Sequence, residues 1–552
     1  MDTNTPRPTE IKLHQKSRVL EIEFADGKTL SLPCEFLRVY SPSAAVRGHS
    51  PGQAVSRARA VRATTEIKIA DQSMLSQVGP QPAPEAAGPF KVVLINPYEL
   101  GRQPFALAEP AAWLKREGIA VTCLDLSLQK LDPETLENAG LVAIYAGMHT
   151  ATRIAIEAIP RIRDIAPQAH LCVYGLYAPM NQKLLRGLGV KSILGGEFEP
   201  GLVSLAQRLR SGDAGDVQTE PIINLAKIEF ITPDRSGLPQ LQRYAHLILP
   251  DGGKKIVGFI EASRGCKHLC RHCPVVPVYE GKFRIVPIEV VMADILQQVQ
   301  AGAAHISFGD PDFFNGPTHA MKVVAAMHAK FPHLSFDATI KIQHLINHAE
   351  LLPALRAAGC LFITSAVESV DDEVLEHFAK NHTRADFERA LQLCRAADIF
   401  LAPTFVAFTP WTTLEGYLDL LSTLLRLRLV EAVPSIQLCI RLLVPAGSYL
   451  LQLPGFREMI EAFDTKLLGY PWRHADPGVD ALQKAVQACA AQGDQQELAR
   501  KDIFEQIWRL THDALGRSAP PLTQADFGEP IARLSEPWYC CAEPTEQQLQ
   551  SF

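Results

Sequence analysis

Five short apolar runs, KVVLIN (91–96), VTCLDL (121–126), LVAIYA (141–146), HLCVYG (170–175) and KSILGG (191–196), recur at the spacing of one strand plus one helix. Stretches of helix length separate them. Runs that are apolar at nearly every position, rather than at alternate ones, are the pattern of parallel strands buried on both faces. Parallel neighbours need a crossover of a dozen or more residues. The segment 90–212 is therefore expected to wind into an α/β, doubly wound sheet that takes ligands at the carboxyl ends of its strands. Glycines fall at those ends, namely Gly101, Gly147, Gly175, Gly195 and Gly196, where a bare backbone allows close approach.

The alternation resumes from 254 to 450. Strands are expected near 256–262, 304–309, 334–340, 360–368, 400–407 and 435–443, which makes a partial (β/α)6 barrel. An irregular connector, 213–253, joins the two blocks, and a helical C-terminal region, 451–552, follows. Upstream, IKLHQ, VLEIEFA and TLSLP read as strands of a small β unit, 1–72, with Asp26-Gly27 as a hairpin turn. The segment 73–89, with VGPQPAPEAAGP at its end, reads as a linker.

A chain of 552 residues exceeds one hydrophobic core, and 47% hydrophobic with 21% charged residues suits a globular protein. A net charge of −6 leaves no basic surplus for phosphates, so nucleic acid is not an expected partner. MDTNTPRPTEIKLHQK has no apolar leader core and no run nears the ~20 apolar residues of a membrane span, so no membrane association is expected and the location is read as cytoplasmic. Thiols stay reduced there. Of the twelve cysteines, Cys34, Cys123, Cys172, Cys360, Cys394, Cys439 and Cys489 lie among apolar neighbours and read as packing residues. The other five form two tight groups.

The first group is Cys266, Cys270 and Cys273, spaced C-x₃-C-x₂-C directly after the first barrel strand. Three thiolates on a four-iron cubane leave one iron open to a small chelating molecule. A zinc site is the competing reading, with His268 or His272 as fourth ligand. The second group, Cys540-Cys541, sits in the tail WYCCAEP. Adjacent Cα atoms about 3.8 Å apart are too close for a relaxed disulfide, which leaves two soft sulfurs able to act as nucleophiles or to grip a soft centre. A tail that only packs its Trp and Tyr is the plain alternative.

The text around the first group, EASRGCKHLCRHCPVVPVY, resembles the radical S-adenosylmethionine (SAM) superfamily, although its members often have an aromatic residue where His272 stands. The resemblance implies a [4Fe–4S] cluster on Cys266, Cys270 and Cys273, with SAM chelating the open iron and being split by one electron. Gly309, Asp310 and Pro311 would then meet the SAM amino group, Glu368 and Ser369 the ribose or methionine region, and Arg441 the SAM carboxylate. Each of these also reads as an ordinary barrel-end turn or ion pair.

The flavodoxin-like domain before such a barrel resembles the cobalamin-binding domain of B12-dependent radical SAM proteins. Here the first loop is Asn96-Pro97-Tyr98-Glu99-Leu100-Gly101, without the familiar Asp and His. Cobalamin without a histidine from that loop, or a scaffold alone, are the two readings. His149 could approach cobalt or cap a helix, and the cap is favoured. Residues 1–72 resemble the DUF971 domain, also found before γ-butyrobetaine hydroxylases.

With HISFGDPDFFNGP, FTPWTTLEGYLDLL, IRLLVPAGSYLL and CCAEP, residues 90–552 resemble the CUAEP/CCAEP-tail radical SAM family, in which selenocysteine can take the position of Cys540. The expected function is reductive SAM cleavage and transfer of a radical or alkyl group to a small substrate. That substrate could be a soft metalloid or a selenium or sulfur species held by Cys540 and Cys541, with flavodoxin or ferredoxin as electron donor. A B12-dependent methyltransferase and a cobalamin or metalloid sensor with a structural cluster are the alternatives.

Overall fold

The computed structural model describes residues 8–14, 19–24, 29–33, 90–213 and 218–536. The chain divides into two compact units, 1–84 and 85–552. The first holds a three-stranded antiparallel sheet, β1 (Pro8–His14), β2 (Val19–Phe24) and β3 (Thr29–Pro33), in that order. Its register pairs Ile11 with Ile22 and Leu20 with Leu32. The Asp26-Gly27 turn, the linker, Cys34, Cys540 and Cys541 lie outside the described residues.

The second unit opens with the expected parallel sheet. Its strands are β4 (Lys91–Asn96), β5 (Ala120–Asp125), β6 (Ala139–Tyr145), β7 (His170–Tyr174) and β8 (Ser192–Gly196), plus β9 (Ile223–Asn224), in the order β5-β4-β6-β7-β8-β9. Val93, Ile95, Val142 and Ile144 face one core, and Val92, Leu94, Leu141 and Ala143 face another. Two-sided burial of this kind explains the unbroken apolar runs. The order reverses between β4 and β6, and the crevice at such a switch point is where an open α/β sheet takes ligands.

The connector supplies β10 (His246–Ile248) and leads into β11 (Lys254–Ile260). After β11 a small hairpin, β12 (Ser263–Gly265) with β13 (Phe283–Ile285), clasps the ends of the cysteine loop. Then β14 (His305–Phe308), β15 (Ser335–Thr339), β16 (Cys360–Glu368) and β17 (Phe400–Phe405) add in parallel to β11. The chain's return strand β18 (Arg533–Leu534) extends the far edge through β10.

The barrel thus has five parallel strands, and the sixth expected near 435–443 does not form. Residues Ser435–Leu438 make a 3₁₀ turn, and a single bridge joins Phe408 to Arg441. The Gln437 side chain accepts from Phe405 N–H at 2.9 Å, taking a donor that a strand carbonyl would otherwise satisfy. Helices Pro477–Gln495 and Arg500–Ala514 join the barrel core through Val479, Leu482, Val486, Ile503, Phe504 and Ile507. Full burial of side chains of this size stabilises by roughly 1.5–3 kcal/mol each.

Buried Arg235 of the connector joins the two sheets: it grips Asp294 through Nε at 2.7 Å and donates to Gln103 Oε1 at 3.0 Å and Phe259 O at 2.7 Å. Five of the scattered cysteines, Cys123, Cys172, Cys360, Cys394 and Cys439, are buried, while Cys489 is half-buried. Among the described residues no helix is long and apolar enough to cross a membrane.

Candidate functional site

The cysteine loop leaves β12 through Gly265, whose φ is +71° and whose added Cβ would lie 2.4 Å from the Lys282 carbonyl. Only glycine fits there. Beyond it Asn315 clamps the loop, accepting from Lys267 N–H at 3.2 Å. Cys266 Sγ lies 3.9 Å from Asn315 Oδ1, and Lys341 Nζ lies 3.7 Å from Cys270 Sγ. Burial pushes the Cys266 and Cys273 thiols up, so a bound metal centre is the agent suited to drawing off their protons.

The zinc reading can be tested on this geometry. Among the described residues the one set of His, Cys, Asp or Glu donors that converges within 4.8 Å is His268, Asp312 and His344, and it contains no cysteine. Thiolates on a single tetrahedral ion, at about 2.3 Å each, would be closer together than that. Sulfurs on separate corners of a cubane stand farther apart. The donor set therefore fits a three-cysteine cluster better than zinc.

Asp310 faces inward. Its carboxylate accepts from Ala262 N–H at 3.0 Å and from the Ser263 hydroxyl, and burial raises it to about 7. Asp310 therefore ties down the strand before the cysteines, and its oxygens are not offered to an ammonium group as the sequence had suggested. Gly309 and Pro311 do reach the mouth. A Cβ on Gly309 would meet Phe259 Cζ at 2.1 Å, so the turn lies flat on that ring.

Glu368 sits at a register shift near the end of β16 with φ +71°, a conformation that turns its side chain into the mouth. His272 Nε2 donates to its Oε1 at 3.1 Å, and Lys380 Nζ lies 3.4 Å away. Burial alone would raise Glu368, but Lys380 and His272 outweigh it and bring it down to about 2. Burial holds the His272 ring below its usual pKa. With Nε2–H committed to Glu368, Nδ1 is left buried and without a partner.

Two residues fall elsewhere. Ser369 Oγ accepts from Asp371 N–H at 3.0 Å, a local turn before helix Asp372–His377, and is absent from the cavity wall. Arg441 bonds Asp480 at 2.7 Å, donates to Trp472 O and stacks 3.5 Å from the Trp472 ring centroid. It lines a separate cavity of about 730 Å³ that none of the three cysteines reaches. Its fork is held by Asp480 and Trp472 in this structure, away from the three cysteines. His149 neither caps a helix nor faces the mouth. It begins helix His149–Ile165, whose cap position is Met148, and its Nε2 donates to Leu467 O at 2.6 Å.

A cavity of about 280 Å³ joins the two sheets. On the barrel side it is lined by Cys273, Gly309, Pro311, His272 and Glu368, and on the other by Leu100, Gly147, Met148, Leu176 and Tyr177 from the switch-point end of the first sheet. The latter wall is apolar and offers no imidazole. Beside it a second cavity of about 210 Å³ runs along the seam. There buried Arg264 meets four carboxylates: Glu199 at 2.6 Å, Glu261 at 2.9 Å, Glu197 at 3.3 Å and Glu109. Burial raises Glu109 and Glu261, and brings Glu197 to about 7. Sequence reasoning missed this cluster, as it missed Asn315, Lys341 and Lys380.

Residues 260–412 match the model described as Radical SAM superfamily, and residues 11–78 that described as Gamma-butyrobetaine hydroxylase-like, N-terminal. The chain therefore carries a radical SAM domain on the half-barrel. It is 24% identical over 152 residues to the Hopanoid C-3 methylase of Methylococcus capsulatus, spanning 28% of this chain but only 29% of that enzyme. It is also 24% identical to the threonylcarbamoyladenosine tRNA methylthiotransferase MtaB of Rickettsia prowazekii, over 55% of this chain and 71% of that one.

In fold it is similar to the radical SAM methyltransferase TsrM of Kitasatospora setae, solved with cobalamin and a [4Fe–4S] cluster bound. That likeness has a TM-score of 0.50 and 19% identity, covering 61% of this chain and 73% of that one. The cobalamin-dependent SAM radical enzyme OxsB, with aqua-cobalamin bound, gives a TM-score of 0.53 at 15% identity, over 74% and 67%.

Proposed function

We propose, with the radical SAM domain at 260–412 as premise, that this chain is a radical SAM enzyme. It would cleave SAM reductively at a [4Fe–4S] cluster on Cys266, Cys270 and Cys273 and pass a radical or alkyl group to a small substrate. One observation carries the reading: the 280 Å³ cavity leads from Cys273 to the carboxyl ends of the upstream sheet, so two cofactor sites would open on one shared space. When bound, the cluster supplies a single electron to the sulfonium. The chain's own residues shape the space around that event: Gly309 and Pro311 form the floor, Lys380 and His272 hold Glu368 ionised toward a ligand's hydroxyls, and apolar Leu100, Met148, Leu176 and Tyr177 exclude water.

Leu100, Met148, Leu176 and Tyr177 would flank cobalamin as the second cofactor, the group bound in the fold relatives, and none of them would supply an imidazole. The reaction would then be alkyl transfer of the methyltransferase kind. The finer resemblances, to the CUAEP/CCAEP-tail family and to DUF971, belong to this proposal, as do Cys540 and Cys541 as the residues that hold a soft substrate or resolve an intermediate. A flavodoxin or ferredoxin donor and a cytoplasmic location complete it.

The test is anaerobic reconstitution with SAM and a reductant, followed by mass spectrometry of the released nucleoside. Wild type is expected to release 5′-deoxyadenosine or methylthioadenosine, and Cys266→Ala neither. Equal release by the folded variant would end the reading. Failure to retain hydroxocobalamin on gel filtration would remove the cobalamin part alone.

A further inference from the structure

The loop that carries the cysteines also carries His268, which meets two donors from other connections. His268 stands between Cys266 and Cys270, Asp312 follows β14, and His344 lies on helix Ile342–Asn347 after β15. Three separate connections bring them to one point. Asp312 Oδ2 lies 3.3 Å from His268 Nε2 and 2.7 Å from His344 Nδ1.

Both imidazoles lie against the same carboxylate oxygen and hold the buried Asp312 carboxyl well below its usual range, yet none of the three facing atoms has any other hydrogen-bond partner. A buried carboxylate oxygen shared by two ring nitrogens is the donor arrangement of a metal site. The other carboxylate oxygen is fixed, since Asp312 Oδ1 accepts from Lys341 N–H at 3.3 Å. The two imidazole rings pack at 4.8 Å. Their side chains keep 16% and 14% exposure, enough for water to fill open coordination positions.

We propose that His268, Asp312 and His344 bind one divalent first-row transition ion, separate from the cluster, that pins the cysteine loop to the barrel. Two imidazoles and a carboxylate suit Zn²⁺, Fe²⁺ or Co²⁺ and are too poor in oxygen for Mg²⁺ or Ca²⁺. The coupling to the loop is direct, because His268 is in it and Lys341, whose amide holds Asp312, reaches Cys270 Sγ at 3.7 Å. None of the three ligands is a cysteine, so the site stands whether or not the radical SAM reading does.

Zinc is the probe. The full chain, reconstituted anaerobically with iron and sulfide and then given one equivalent of zinc sulfate, is desalted, analysed for both metals and examined by Zn K-edge absorption. One zinc per chain is expected beside an undiminished iron content, with a nitrogen and oxygen shell at about 2.0–2.1 Å and no sulfur. His344→Ala and the less disruptive His344→Gln should each weaken zinc binding by about tenfold or more and speed iron loss to a chelator, with iron loading at saturation unchanged. A sulfur shell at about 2.3 Å, no retained zinc, or His344 variants that bind zinc like wild type would overturn the proposal.

Discussion

The barrel mouth and the seam beside it are separated along the chain by Gly265 alone, between Arg264 and Cys266, yet they handle charge in opposite ways. At the mouth a cation stands beside each anionic group: Lys341 lies against Cys270, and Lys380 is nearly fully buried against Glu368. A cluster with three thiolates is an anion, and cations already in place compensate it without reorganisation. In the seam one guanidinium faces four buried carboxylates. Burial, with Glu199 adding to it, outweighs Arg264 and raises Glu197 to about 7, so protons accommodate the surplus acid. The mouth pairs its anions with cations, whereas the seam sets one cation among buried acids whose affinity for protons is raised.

The sharpest way to break this contrast is Gly265→Ala. The added methyl would have to displace the Lys282 carbonyl, so the hairpin that closes the cysteine loop should open. Iron content after reconstitution should fall to near background while far-UV dichroism stays that of wild type. Full cluster loading in this variant would show that the loop does not depend on its clasp.

A smaller effect is expected from Arg264→Met. It leaves carboxylates buried with no cation, which costs about 3–5 kcal/mol. The unfolding free energy should drop by that amount at pH 8 and by less at pH 5, where Glu109 and Glu197 take up protons, with iron loading retained at both. An equal loss of iron would mean that seam and mouth are one unit.

The smallest is Glu197→Gln. The folded carboxyl titrates near 7, above the ordinary value of 4.5, so the folded state binds more protons than the unfolded one between those values. Wild-type stability attributable to Glu197 is full below pH 4.5 and declines as pH rises through about 7. The Gln variant should flatten that decline and melt about 2–4 °C higher than wild type at pH 8. Parallel melting curves across pH 5–8 would show that Glu197 is not a proton store.

Much of this was legible in the sequence because it was local. Apolar runs gave the strands β4 to β8 within a residue or two, and the C-x₃-C-x₂-C spacing gave the loop after β11. What escaped depended on distance or on a side chain standing in for backbone. Arg264 and Glu109 are 155 residues apart, and no local pattern marks their meeting. The sixth strand read well from CIRLLV, but Gln437 had taken the Phe405 amide. Asp310 and Arg441 have the right chemistry for SAM, and only their partners, Ser263 with Ala262 and Asp480 with Trp472, show that both are already occupied. The short strands β9, β10 and β18 carry too few residues to show a period.

The central claim is that three protein sulfurs hold a four-iron cluster with one iron open to SAM. Mössbauer spectra of ⁵⁷Fe-reconstituted protein, recorded anaerobically with and without SAM, test it most directly. A cubane is expected in which one iron of four changes its parameters when SAM is added, with no such cubane in Cys270→Ala. Four irons indifferent to SAM, or zinc bound by the three cysteines in place of iron, would contradict it.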